Sequence, residues 1–269
     1  MTRLATILLV ALGTAARGQE EPGGVPIATI SLANGRVERA SAGQKWGAAR
    51  QGEALKTGES LRTGPDGAAR LMFPWMTVAL GPDTVVRVPG GRILSTVLES
   101  GRIELVSEGD IVKVRVGSLD IRGQGRIVVR HDGERTAVMS LTDVARLSMR
   151  SGRSLELQSG EAALGSGNNL RGPLAFPAPP TIVSPGADPM YVQPSTPVPL
   201  QWRGQSDRYI VEIVPLDSNT PLLATESRSN YAEISVPWLG LYRWRVTGVD
   251  RTGLETEPSE EGLICVVEK

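Results

Sequence analysis

Apolar and polar positions alternate with a period of two along much of this chain, and that period predicts strands. The runs Glu59 to Thr63, Ala69 to Phe73 and Thr77 to Leu80 are short, and Gly-containing turns punctuate the region every 6 to 10 residues, a rhythm that leaves no room for helices. Ser31 to Glu38, Leu98 to Val106, Ile111 to Val116, Arg126 to Arg130, Thr136 to Ser140 and Ser154 to Gln158 also alternate or run apolar over strand lengths, with Gly, Asp or Ser between them. Asp132-Gly133 predicts a hairpin with a type I′ turn, because Asp-Gly supplies the positive φ angles that this turn requires. A loose L-x-x-G-x-[VIA] recurrence stands at Leu32 to Val37, at Leu98 to Ile103 and at Leu157 to Ala162. Its spacing is too irregular for a solenoid array. Residues 25–170 are therefore expected to form a β-roll or solenoid-like sandwich.

Near the middle the composition changes. Leu170 to Pro185 holds five prolines, which cannot donate to a ladder, and predicts a stiff extended spacer over residues 171–185. Beyond it, Pro199-Leu200-Gln201-Trp202, the alternating run Asp207 to Ile213 and the run Gly240 to Gly253 give an early Trp, a middle strand and a late strand led by Tyr242. That order resembles a fibronectin type III or immunoglobulin-like sandwich over residues 186–269, with the similarity itself reaching back to about residue 181. The resemblance implies that Trp202 is the core indole and Tyr242 the corner tyrosine. Such sandwiches serve mostly as spacers or adhesion modules and say little about activity.

Residues 1–18 read as a secretory signal peptide: Arg3 gives a positive start, Leu4 to Leu12 is an apolar run too short to cross a bilayer of roughly 30 Å, and small residues follow at Gly13 to Ala16. Cleavage would leave no transmembrane segment and place the chain in the periplasm or outside the cell. No Cys stands near the cut, so a lipid anchor is not expected.

The segment from Trp46 to Thr84 carries a more specific signal. Trp46, then Gly52, Leu55, Gly58, Leu61 and Thr63, then a strand pair around Phe73 and Leu80, then Gly81-Pro82-Asp83-Thr84 resembles the FecR-like domain of bacterial envelope proteins. That resemblance implies an all-β fold and a mostly non-catalytic role, binding partners in the periplasm. The chain departs from the pattern at Phe73-Pro74-Trp75-Met76-Thr77, where family members have an Asp-Gly-Ser turn, and at Arg122-Gly123-Gln124, where the family often has Gly-Thr. The first departure replaces the best turn residues with two large apolar ones. Either Trp75 and Met76 fold back over their own core, or they form an exposed anchor for a partner. The expectation adopted is the second, with Trp75 and Met76 as the binding residues.

Candidate chemistry is thin. His131 is the only histidine, beside a turn, and any Ser-His-Asp triad would have to use it. There is no G-x-S-x-G elbow and no His/Cys cluster with metal-ligand spacing, so neither catalytic nor metal residues are assigned and no cofactor is expected. Gly123-Gln124-Gly125 lacks a third glycine and a following helix, which argues against a nucleotide loop. Asp110, Asp120 and Asp143 flank strands, as solvated edge charges do. The lone Cys265 cannot form an intramolecular disulfide and is expected to pack in the last strand, Leu263 to Val267.

Formal charge is zero overall, yet residues 25–170 hold 19 basic and 15 acidic side chains whereas residues 181–269 hold 7 and 12. A difference of that size suffices to orient the halves against each other and is too small for nucleic-acid binding. The sequence-level expectation is a non-catalytic secreted or periplasmic scaffold or assembly factor that binds another envelope protein or cell-wall glycan, as a monomer or as a homo- or hetero-oligomer. The alternative is a periplasmic sensor related to FecR-type iron-transport signalling, without its own membrane span or sigma-factor-binding segment.

Overall fold

Two faces of one sheet explain most of the architecture. The structure is a computed structural model that describes residues 24–89, 96–217 and 221–268; residues 1–18, expected as a signal peptide, and the side chain of Asp110 lie outside the described residues. Every regular element described is a strand, so the fold is all-β. Strands from Pro26–Asn34 to Asn169–Ala175 form one 15-stranded sheet, and the rest of the chain forms a three-stranded and a five-stranded sheet.

Along the long path of the first sheet, the order is Asn169–Ala175, Glu161–Ser166, Arg135–Ser140, Leu119–His131, Thr96–Val116, Thr77–Leu80, Ala68–Met72, Pro26–Asn34 and Ala54–Lys56. The sheet curls over a core that includes Ile30, Leu55, Leu61, Leu71, Val78, Leu98, Ile103, Leu105, Ile121, Ile127 and Leu147. Because the side-chain period is two, residues next to these on the same strands face away. Ile127 and Val129 point into this core, while Val128 and Arg130 point to the second unit. Residues 127–130 and 136–140 are buried on both faces, which is why they read as unbroken runs in the sequence.

Several boundaries differ from the sequence expectations. Ser31 to Glu38 is two strands, Pro26–Asn34 and Val37–Ser41, split where Gly35 takes φ 62°. A Cβ at Gly35 would lie 2.3 Å from the carbonyl oxygen of Asp66, so alternation continued through a turn that only glycine fits. Conversely, Leu98–Val106 and Ile111–Val116 belong to one 21-residue strand, Thr96–Val116. Its partner strand shifts register between Gly123 and Gly125, which places Gly123-Gln124-Gly125 inside the ladder. The Asp132 hairpin is not type I′. Asp132 pairs with Arg135, and of the loop residues Gly133 alone takes a positive φ, 97°. The Asp132 carboxylate accepts the N–H groups of Glu134 and Arg135 at 3.1 and 2.7 Å, doing the work expected of the backbone.

The spacer is shorter than residues 171–185. Residues through Ala175 pair with Glu161–Ser166, with Pro173 in a register break, and Thr181–Ser184 opens the next sheet. The prolines at a strand edge and a bulge cost the ladder little, leaving residues 176–180 as the connection. In the second unit the sheet Thr181–Ser184, Pro197–Arg203, Tyr231–Ser235 faces the sheet Met190–Val192, Gly262–Val266, Gly240–Val249, Arg208–Pro215, Leu223–Ser227. Trp202, Tyr209 and Trp244 fill the space between them, with the Trp202 and Tyr209 rings 5.3 Å apart at 66°. Tyr242 donates its hydroxyl to the carbonyl of Trp238 at 3.1 Å.

The units meet along a mixed seam. Leu254 inserts among Val128, Ala137, Met139 and Ala162 on the outer face of the first sheet. Around this apolar contact, Arg102 and Arg130 of the first unit converge on Glu255 of the second, at 2.9 and 3.2 Å, and Arg130 also reaches Glu226 at 3.2 Å. The Asn34 side-chain amide donates to the carbonyl of Leu222.

Candidate functional site: an arginine-lined cleft between the units

Beside the seam the units stand apart around a cleft of about 680 Å³. Its floor is the outer face of the first sheet, where register aligns Leu32, Arg70, Ala79 and Glu104 as cross-strand neighbours. Leu71, Val78, Ile103 and Leu105 alternate with them and anchor the same strands in the core. The roof repeats this logic. Val211, Ile213, Trp244 and Val246 point into the second core, so Glu212, Arg243 and Arg245 point into the cleft.

Arg102 is placed by the segment that carried the family resemblance. Thr63 donates its hydroxyl to the carbonyl of Gly81 at 2.6 Å and accepts the N–H of Thr84 at 3.0 Å. Thr84, fully buried, accepts the Arg102 N–H at 2.9 Å, and its hydroxyl lies 3.1 Å from the Arg102 carbonyl. Asp83 turns the chain at φ 49° to allow this. The preceding Gly101 has φ 93°, and a Cβ there would come within 2.4 Å of the Thr84 Cα. A turn motif on one edge of the sheet thereby fixes the backbone of a cleft arginine.

Four of the five arginines in the cleft are paired. Arg102 holds Glu255, Arg126 holds Glu104 at 2.6 Å, Arg245 holds Glu212 at 2.7 Å, and Arg243 holds Glu261 at 3.2 Å. Burial disfavours ionised Glu104, but Arg102 and Arg126 outweigh it and hold that carboxyl below the usual glutamate range. Burial likewise opposes the charge on Glu255, and Arg102 and Arg130 again prevail and lower it. The same pairing raises Arg102 further, against its own desolvation. These carboxylates are thus locked as anions, a poor state for proton donation and a good one for a fixed electrostatic frame.

Arg70 is different. None of the ion pairs among the described residues involves it, and its Nε is buried without a hydrogen-bond partner. Desolvation lowers its pKa, opposed by the field of Glu104. Arginine stays cationic regardless.

The residues singled out from sequence lie elsewhere. Met76 is 5% exposed and Trp75 packs against the first core, its ring 6.1 Å from that of Phe73. The expected exposed tip is therefore a covered one: Phe73 N–H bonds to the Met76 carbonyl at 2.9 Å, Pro74 supplies the turn, and Met76 returns to the interior. His131 is partly buried, with Nδ1 3.0 Å from the Arg135 carbonyl and from the Thr136 hydroxyl. Cys265 is also partly buried, on the opposite face of its strand from Ile264 and Val266, because alternation gives the core face to those two. Asp120 pairs with Arg115 at 2.7 Å on the surface. Sequence reasoning missed Arg70, Arg102, Arg130, Glu212 and Glu255. The available signal was charge at outward positions of otherwise apolar strands, as in Arg102-Ile103-Glu104-Leu105.

No family model matches this chain, and no curated protein matches it. A solved structure similar to it is a fungal alcohol oxidase of the AA5 family in complex with copper, with 8% identity, 90% of this chain and 98% of that chain covered, and a TM-score of 0.23. A likeness that low carries no argument for fold or for copper. Among the described residues no group of three or more His, Cys, Asp or Glu side chains is placed to hold a metal ion.

Proposed function

We propose that this protein is a non-catalytic binding protein of the bacterial cell envelope, a scaffold or assembly factor that receives another envelope component in the cleft between its two β units. One observation carries the reading: the cleft is large enough for a ligand or a partner segment, yet both carboxylates that line it, Glu104 and Glu212, are taken up in ion pairs with arginines. The segment that holds Thr63 and Thr84 in support of Arg102 is also the one that resembles the FecR-like domain, and that resemblance implies a mostly non-catalytic protein that binds partners. The signal-like residues Arg3 and Leu4 to Leu12 supply the envelope location.

A photoreactive residue at position 79, on the cleft floor, tests this in intact cells of the source organism. Crosslinks to structural envelope proteins or to cell-wall glycan are expected, together with a mature chain beginning near residue 17 or 19 by mass spectrometry. Recovery of a membrane regulator or transporter instead would favour the sensor alternative. An intact Met1 in a cytosolic fraction removes the envelope reading.

A further inference from the structure

Within the cleft, Arg70 is a cation with no anion to answer it. The other four lining arginines have carboxylate partners at 2.6 to 3.2 Å, two of which, Glu104 and Glu212, also line the cleft. Arg70 sits on the middle of the floor, held in register between Leu32 and Ala79, and its strand is fixed by the Ser31 hydroxyl donating to the Arg70 carbonyl at 3.3 Å. Its Nε is buried without a hydrogen-bond partner, so the terminal Nη groups are what the guanidinium offers to an acceptor in the cleft. Among the ion pairs, the lining of the same cleft also carries the apolar side chains Leu32, Ala68, Ala79, Pro221 and Ala224.

We propose that Arg70 is the recognition residue for a single carboxylate borne on a compact apolar body, which the cleft receives with the guanidinium fork turned to its two oxygens. This rests on the cleft being the binding surface and names what it selects. Three features choose the carboxylate. A planar guanidinium matches it in bidentate geometry. One uncompensated positive charge balances one negative charge. Glu104 and Glu212 already occupy Arg126 and Arg245, so the second charge of a dianion such as phosphate would find a cation only by breaking an ion pair. The carboxylate has two sources, a free organic acid or the C-terminus of a polypeptide.

Isothermal titration of the full chain with N-acetylalanine, N-acetylalaninamide, inorganic phosphate and a ten-residue peptide ending in a free alanine carboxylate tests the proposal. Saturable binding of N-acetylalanine is expected, with at least tenfold weaker binding of the amide and of phosphate. Arg70→Met, which keeps the apolar stem, should lose binding at least tenfold with an unchanged melting curve, and Arg70→Lys should retain part of it. In the wild type, the Arg70 Nε–H resonance should move on saturation with N-acetylalanine, a readout that needs no variant. Tighter binding of the peptide than of N-acetylalanine assigns the carboxylate to a chain end, and equal binding assigns it to a free acid. No binding, equal binding of the amide or phosphate, a stationary Arg70 resonance, or full affinity in Arg70→Met overturns the proposal. Crosslinking from position 79 that persists in any of those cases leaves the cleft as the binding surface and removes only its carboxylate selectivity.

Discussion

Thr84 shows how much of the first unit depends on one hydroxyl. It accepts the Arg102 N–H, and Thr84→Val would leave that buried donor without a partner, so a loss of about 1–3 kcal/mol is expected in chemical unfolding. Thr84→Ser keeps the oxygen and should recover most of it. Trp75 gives the opposite lesson. Because its ring packs on the core beside Phe73, Trp75→Ala should cost more than the roughly 0.5 kcal/mol of a surface change, though less than the ~3–5 kcal/mol of deleting a fully buried aromatic. Two apolar residues in place of polar turn residues were visible in the sequence; their direction was not, since the 2.9 Å bond closing Phe73 to Met76 is a property of the folded turn. Arg70 was equally hidden. Sequence marks a charged residue in a strand but not which of several like residues is left without a counter-ion.

Among the elements, strands were legible where one face meets the core and the other meets water. Glu59–Thr63 and Thr77–Leu80 have the bounds expected from alternation. Legibility failed where turns are built from tertiary contacts, as at Gly35, and where a bulge lets one strand run on for 21 residues. The strand Thr96–Val116 also separates two effects of glycine. Gly101 and Gly109 have nearly the same backbone, φ 93° and 87°, but a Cβ at Gly101 would strike Thr84 whereas at Gly109 nothing lies within 4 Å. Gly109→Ala should show only backbone strain, about 1 kcal/mol, and Gly101→Ala distinctly more, measured as the difference between their denaturant midpoints. Equal costs would mean that the hydroxyl knot at Thr84 yields freely.

Over the whole molecule, the charge difference between the halves, visible in composition alone, reappears as arginines of the first unit closing on glutamates of the second. Composition could not name the pairs, because each depends on which face of a strand turns outward. Glu255→Gln leaves Arg102 and Arg130 short of an anion in a buried seam and should destabilise by about 3–5 kcal/mol. The folded Glu255 carboxyl holds its proton less tightly than the ordinary glutamate value of 4.5. Its contribution is therefore complete above that pH and is lost as the pH falls below it, so the melting temperature should drop steeply on acidification below about 4.5 and less steeply in Glu255→Gln. The short connection, residues 176–180, has a consequence of its own. A tether of five residues keeps each half facing the other at an effective concentration in the millimolar range or above, so a seam that would open between two separate chains on dilution stays closed in one. Cutting the tether with an inserted protease site should leave two folded halves that co-elute when concentrated and part on dilution, with the cleft lost at the moment they separate.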